Sequence, residues 1–278
     1  MACILPDIAA RRLIYVKLGC DPLCAQRWGD RRRASVVANY ARTSCLACAV
    51  RESALCHVLN PQQLASLNRR SFRKRYAAGQ LISGVSATEE WYATIVSGVI
   101  KLIKALPDGR QQIVALLLPS DFLGRPFKAT SPYVAEAATT VELCCYGARD
   151  FERLLTEQAD LKQLFLERAL DAVDAARDWM LLLGRKNARE KVAAFLLMIA
   201  RGRGSGACAT CAGGHFERIE LPLSRTEMAD YLGLRLETVS RQLNWLEAVG
   251  VVKRLDRRGI AISNVGELER ISAADTPQ

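Results

Sequence analysis

No stretch of 18 or more apolar residues occurs in the chain, which argues against a membrane-spanning helix. Histidine is scarce: His57 and His215 are the only two, so histidine general-base chemistry is nearly excluded, and no other catalytic pair stands out. No glycine-rich loop of the P-loop type is present. The N-terminus has no basic region followed by a long apolar one, because Arg11 and Arg12 interrupt it and Asp21 and Asp30 follow. A secretory signal is therefore not expected. These absences predict a cytoplasmic protein that is not an enzyme, has no membrane partner and keeps its thiols reduced. Acidic residues are outnumbered, and the net charge of +10 allows a nucleic-acid partner. The excess is uneven, however. Residues 220–278 carry 8 Lys/Arg against 9 Asp/Glu, whereas 185–203 carry 6 basic residues and 1 acid. Charge alone makes no case for DNA; a motif must.

With 278 residues, the chain has room for one large or two smaller domains. Residues 1–40, including Arg31-Arg32-Arg33, show weak periodicity and predict a loosely packed arm. Between Phe72 and Tyr146, short β-rich runs alternate with turn signals. Trp91–Lys104 bends at Gly98, Pro107-Asp108-Gly109 marks a turn, and Gln111–Leu118 and Val141–Tyr146 resume strands. This spacing predicts a small antiparallel barrel or jelly roll. Over Asp160–Leu183 the period changes. Leu166, Leu170, Val173, Ala176/Arg177, Met180 and Leu183/Gly184 recur at steps of three and four, giving a long helix with one apolar seam. Two such helices would make a symmetric dimer, unless the seam packs on its own domain. Gly184 is placed to end the helix, Lys191–Ala200 is a further helix, and the Gly/Ala/Ser-rich 201–214 is a loop.

The strongest motif is C-terminal. Ser224 and Glu227 form an S-x-x-E capping box, Gly233 ends the helix in a tight turn, and a second helix, Glu237–Val249, carries Val239, Leu243 and Leu246 on one face. Val251–Ile262 follows as a hairpin around Asp256-Arg257-Arg258-Gly259. Helix, turn, helix and wing predict DNA binding. Glu237, Ser240 and Arg241 share one face near the helix N-terminus, where side chains meet base edges. Arg can pair with guanine, Glu can accept from cytosine, and Ser suits several edges. The bland alternative is a surface ion pair between Glu237 and Arg241. Arg225, Arg235, Arg257 and Arg258 complete the DNA-facing set as phosphate partners.

Ten cysteines remain to be explained. Cys45-x2-Cys48-x7-Cys56 can wrap one metal centre, iron–sulfur or zinc. Cys144 and Cys145 are candidate fourth ligands. Adjacent strand residues face opposite ways, so Cys145 joins Val141 and Leu143 in the core while Cys144 points outward, where the N-terminal segment can dock. Cys208-x2-Cys211-x3-His215 and Cys20-x3-Cys24 are weaker pairs without a clear fourth ligand, Cys3 has no assigned role, and His57 reads as a surface or packing residue.

The chain resembles the CRP/FNR superfamily of bacterial transcription regulators, within it the oxygen-sensing FNR branch. The resemblance rests on IVSGVIK (95–101), PSDFLG (119–124), KNAREKVAAF (186–195) and YLGLRLETVSR (231–241). It implies an α+β chain: an N-terminal antiparallel β-roll, which is a jelly roll like a cyclic-nucleotide-binding domain, then a long dimerisation helix and a C-terminal winged helix-turn-helix. The expected divisions are an arm at 1–40, a cluster-binding segment at 41–58, the roll at 59–159, the dimer helix at 160–184 and the DNA-binding domain at 185–278. It further implies a homodimer, base reading of a TTGAT-N4-ATCAA palindrome by Glu237, Ser240 and Arg241, contacts with RNA polymerase, and an oxygen-labile [4Fe-4S] cluster on Cys45, Cys48, Cys56 and Cys144 that favours the DNA-binding dimer. The expected activity is control of genes for low-oxygen or anaerobic metabolism, as an activator, with the direction of control at each promoter left open. Gln242 stands where the motif is usually apolar. Ala176 stands where the best-known members carry a seam acid, which removes a like-charge repulsion and predicts weaker coupling between cluster loss and monomerisation. Cyclic nucleotide is not expected, because Gly124-Arg125-Pro126 and Ser131-Pro132-Tyr133-Val134 lack the ribose-binding carboxylate and the phosphate-binding arginine. Two other readings stand beside this one: a regulator of the same fold whose cysteines form a thiol or zinc switch, and an iron–sulfur electron-transfer protein, which leaves the helix-turn-helix without a role.

Overall fold

A computed structural model describes residues 45–82, 91–105, 108, 110–128, 131–202 and 216–273. The expected N-terminal arm, Cys3, Cys20, Cys24, most of the 201–214 loop, Cys208, Cys211 and His215 lie outside these residues. Strands β1 (Ser71–Tyr76), β2 (Leu81–Ile82), β3 (Trp91–Ser97), β4 (Ile100–Ala105), β5 (Gln111–Leu117), β6 (Phe122–Leu123), β7 (Val134–Ala137) and β8 (Val141–Gly147) build two antiparallel sheets. Their orders are β1-β8-β3-β6 and β2-β7-β4-β5, the two faces of a jelly roll. Ile95, Ile100, Val141, Leu143 and Cys145 fill its core, as period-two alternation requires. Gly98 turns β3 into β4 at φ +84°, and a Cβ there would sit 2.2 Å from the Thr140 carbonyl oxygen.

Two helices flank the roll and escape the periodicity reading: α1 (Pro61–Arg70), capped by the reciprocal Asn60–Gln63 box, and α2 (Ala148–Glu157). The long helix α3 spans Ala159–Arg185, 27 residues or about 40 Å. It begins one residue and ends two residues outside the expected bounds. Gly184 does not terminate it: the glycine lies inside the last turn with open space where a Cβ would be. The break comes at Lys186, because Asn187 and Glu190 form the capping box that starts α4 (Ala188–Ala200). Strand β9 (Phe216–Glu220), helices α5 (Arg225–Leu232) and α6 (Leu236–Ala248), strands β10 (Val252–Arg254) and β11 (Gly259–Ile262), and α7 (Val265–Ala273) complete the C-terminal unit, whose sheet order is β10-β11-β9. The wing hairpin therefore has a third strand, β9, which the flanking glycine-rich sequence conceals.

Roll and C-terminal unit share a core. Ile103, Ile113 and Ala138 pack with Phe195, Met228, Leu232 and Leu246, and Trp179 of α3 stacks on Tyr231 at 4.2 Å between centroids. Lys101 on β4, nearly buried, forms ion pairs with Glu136 of the roll at 2.9 Å and with Glu227 of α5. No described helix is long and apolar enough to cross a membrane.

Candidate nucleic-acid interface and thiol pocket

The helix-turn-helix forms from local rules. The Ser224 hydroxyl accepts from the Glu227 backbone N–H, and the Glu227 carboxylate accepts from the Ser224 N–H. Gly233 ends α5 in the left-handed conformation, φ +62°. Val239, Leu243 and Leu246 bury the inner face of α6. This packing turns Glu237 and Arg241 fully outward with Ser240 half-buried between them. Among the described residues no ion pair joins Glu237 to Arg241, so the surface-pair alternative has no support in the geometry. Arg225 and Arg235 are exposed beside them. At the wing, the Asp256 carboxylate accepts from the backbone N–H groups of Arg258 and Gly259, which closes the turn and holds its pKa below the usual range. Arg257 is exposed and Arg258 half-buried. Arg254 pairs with Glu247 of α6 and fixes the wing against the reading helix. Gln242 is half-buried beneath, and its Oε1 has no hydrogen-bond partner among the described residues.

The expected seam of α3 is largely uncovered. Leu166, Leu170, Val173 and Met180 are 59, 56, 44 and 70 % exposed, and Ala176 and Arg177 are exposed too. Among the described residues, nothing of its own domain covers the seam over this stretch. Leu183 is the exception to the predicted interface set. It is half-buried against the C-terminal core, because the end of α3 lies under the helix-turn-helix. Leu181, not anticipated, is exposed instead.

The four predicted ligand cysteines come together. Two 3-10 turns, Cys45–Ala47 and Leu55–Val58, lay the N-terminal segment over the outer face of β8. Cys45, Cys48, Cys56 and Cys144 line one pocket of about 20 Å3 with Val50, Ala54, Leu67, Thr94 and Tyr146. Cys145 is fully buried on the opposite face, in the roll core. His57 is exposed and bonds the Ala54 carbonyl. Among the described residues, no three His, Cys, Asp or Glu side chains converge closely enough to hold a single metal ion. Burial pushes the Cys56 thiol up to about 11 and the Cys144 thiol up to about 12 and also raises Cys45, with the neighbouring sulfurs adding to the effect. Thiols held neutral in this way are poor nucleophiles. Two cations stand close: Arg73, nearly buried on β1, and Arg51.

The pocket belongs to a hydrophobic unit that reaches α3. Tyr146 stacks on Phe151 of α2, and Phe151 and Phe122 pack against Phe165 of α3. Leu161 of α3 is buried in the same cluster, and Arg168 donates to the Ser53 carbonyl at 3.3 Å. Sequence reasoning missed Arg73, Arg51 and Arg168. Arg73 had a signal: alternation along Ser71–Tyr76 places Phe72 and Tyr76 toward the roll core and Arg73 on the face of Cys144.

Comparison with known proteins agrees with this architecture. The Crp-like helix-turn-helix domain family matches residues 190–271, and the cyclic nucleotide-binding domain family matches residues 73–158. A probable transcriptional activator of Rhizobium leguminosarum bv. viciae is 42 % identical over 231 residues, covering 83 % of this chain and 94 % of that protein. The transcriptional activator protein FnrL of Cereibacter sphaeroides is 41 % identical over 224 residues, covering 81 % and 90 %. The structure of FixK2 from Bradyrhizobium japonicum superimposes with a TM-score of 0.64 at 31 % identity, over 73 % of this chain and 98 % of that one.

Proposed function

Since the chain belongs to the CRP/FNR family and is a DNA-binding transcription regulator of the FNR/FixK type, we propose that it is a cytoplasmic oxygen-responsive activator whose DNA-binding dimer is favoured by a [4Fe-4S] cluster on Cys45, Cys48, Cys56 and Cys144. The observation that carries this reading is the gathering of four thiols, from a short N-terminal segment and a strand 88 residues beyond it (144 − 56), around one pocket. The donor set is all sulfur and the lining is apolar, which suits a cluster with soft ligands. A tetrahedral zinc site would bring its sulfurs within about 4 Å of one another. Here all four thiols line one pocket, while among the described residues no three candidate ligands lie close enough to hold a single metal ion. The cavity itself admits about one water, so the segment that yields to a larger group is Cys45–Val58, held by short turns. When bound, such a cluster supplies the oxygen lability.

The protein's own residues do the rest. Cys56 and Cys144 share a cluster of side chains with Leu161 and Phe165, so a change in the cysteine segment repacks the first turns of α3. The Arg168–Ser53 contact ties the segment to the helix directly. Further along, the exposed leucine–valine–methionine seam meets its two-fold copy. The dimer presents two α6 helices to successive half-sites of a TTGAT-N4-ATCAA palindrome, with Arg225, Arg235, Arg257 and Arg258 on phosphates and RNA polymerase as the downstream partner at promoters of low-oxygen genes. The decisive experiment is anaerobic purification with iron and acid-labile sulfide analysis, followed by air exposure. Straw-brown protein containing equal iron and sulfide, whose colour and palindrome affinity both fall in air, is expected. Colourless protein with bound zinc would overturn the cluster and favour the thiol or zinc switch. Arg241→Ala is expected to cost about 1–3 kcal/mol of binding and to relax discrimination at one base pair. Gel-shift titration against single-substituted duplexes at fixed salt checks it, and a uniform loss across all duplexes would assign Arg241 to phosphate instead.

A further inference from the structure

Arg73 is the buried cation beside the thiol pocket that no role above absorbs. Antiparallel register places it directly opposite Cys144, Arg73↔Cys144, on the same face of the sheet. The residue is 7 % exposed, and its Nη2 donates toward Cys48 Sγ at 3.7 Å. Its Nη1 lies 3.5 Å from Glu142 Oε1, an ion-pair distance, yet makes no hydrogen bond among the described residues. Glu142 is also held by Arg75, whose Nε and Nη2 donate to Oε2 at 3.1 and 2.9 Å. One carboxylate thus faces two guanidinium groups, and one positive charge is left over beside the sulfurs. An arginine cannot shed that charge by deprotonating, and burying it uncompensated is costly.

We propose that Arg73 is the fixed counter-charge of the thiolate-bound group, a positioning residue that holds negative charge in the pocket and thereby slows loss of the group to oxygen. This rests on the cluster reading above. A doubly positive core with four thiolates is negative in total, so a buried cation a few ångströms away stabilises it. Net charge and hydrogen bonds to the sulfurs are the levers a protein has on such a group. If dioxygen removed one electron from the bound group and left as superoxide, the total charge of group and thiolates would become less negative by one unit. The attraction to Arg73 weakens in that step, so the cation opposes it. Arg75, two-thirds exposed and bound to the same carboxylate, lacks this proximity.

The test uses the full chain, purified anaerobically, as wild type, Arg73→Met, Arg73→Lys, Arg75→Met and Glu142→Gln. Iron and sulfide are measured first, and then the decay of absorbance at about 400 nm, where thiolate–iron transitions lie, after mixing with air-saturated buffer. Arg73→Met is expected to bleach about ten times faster or more, since a unit charge a few ångströms away acts at an intermediate dielectric. Arg73→Lys keeps the charge and is expected to stay close to wild type, as is Arg75→Met. Glu142→Gln leaves the cation in place, frees it from its carboxylate and is expected to bleach more slowly, so the proposal remains open to refutation even if Arg73→Met does not fold. If Arg73→Met and Arg73→Lys bleach equally fast, the role is packing and the counter-charge is overturned. Iron-loaded variants that all decay like wild type overturn it as well, with the cluster intact. Wild type without iron and sulfide overturns the cluster reading and Arg73's role together.

Discussion

Leu170→Asp is expected to separate the protein into monomers and to lower its affinity for the palindromic duplex by about 100-fold or more. Leu170 lies mid-way along α3, 56 % exposed in the single chain, within a seam that continues through Leu166, Val173 and Met180. Each buried leucine contributes about 1.5–3 kcal/mol relative to an exposed one. Two-fold symmetry removes two leucines per dimer and brings two carboxylates toward each other. A loss of about 3–6 kcal/mol of association follows, and each 1.4 kcal/mol is a factor of about ten. A monomer holds one half-site only, so the loss in dimerisation reappears in DNA binding. Sedimentation velocity at micromolar concentration and a gel shift with the full palindrome and a single half-site check the two parts. A variant that still sediments as a dimer would place the interface elsewhere. The exposed Ala176 carries no charge, so wild type lacks the repulsion that Leu170→Asp introduces.

The second large effect concerns the joint between the roll and the DNA-binding unit. Lys101→Met is expected to destabilise the protein by about 2–4 kcal/mol. Removing one partner of a buried ion pair costs about 3–5 kcal/mol, and the figure is lowered here because Glu136 and Glu227 keep roughly a fifth to a quarter of their side chains in water. The lysine bridges two carboxylates from different units, so its loss leaves Glu136 and Glu227 facing each other. Glu227 has a further duty as the acid of the capping box that starts α5. Burial opposes its charge, but Lys101 and the Ser224 N–H and hydroxyl more than offset that and hold its pKa below the ordinary glutamate value. Two carboxylates thus meet at one lysine, and one of them also holds the backbone N–H of Ser224. A group whose folded-state pKa is depressed stabilises the fold above its unfolded pKa and ceases to do so as pH falls through the folded value. The gap between wild type and Lys101→Met is therefore expected to persist at neutral pH and to narrow in acid, below the usual carboxylate range. Urea melts at neutral and acidic pH measure it. Adding Glu227→Gln to Lys101→Met is expected to recover part of the loss, since fewer charges are stranded. A gap that widens in acid would contradict the assignment.

How much of this was legible beforehand follows from how local each feature is. The reading helix was legible almost to the residue: Leu236–Ala248 against the expected Glu237–Val249. The roll strands were legible where alternation was clean, as in Val141–Gly147, and illegible where glycine-rich sequence adjoins a strand, as at Phe216–Glu220. Gly184 misled because a lone glycine in a helix costs only about 1 kcal/mol, and the reciprocal box at Asn187 and Glu190 set the boundary instead. The partial burial of Leu183 was not legible, because period places a residue on a face but not against a particular neighbour. Here that neighbour is the chain's own C-terminal core.

By itself the sequence determined the winged helix-turn-helix, the outward face of Glu237, Ser240 and Arg241, the opposite orientations of Cys144 and Cys145, and the apolar seam of α3. Each depends on hydrogen bonds and side-chain periods spanning a few residues, and such rules operate wherever the segment is placed. Only the tertiary structure decided that the expected quartet of Cys144 with Cys45, Cys48 and Cys56 lines one pocket, that Arg73 stands opposite Cys144, and that Lys101 joins two carboxylates across the domain joint. Those arrangements depend on strand register and on how sheets and helices pack over long separations. No local propensity specifies them, because their free energy comes from burying surfaces that the chain brings together only when it is folded.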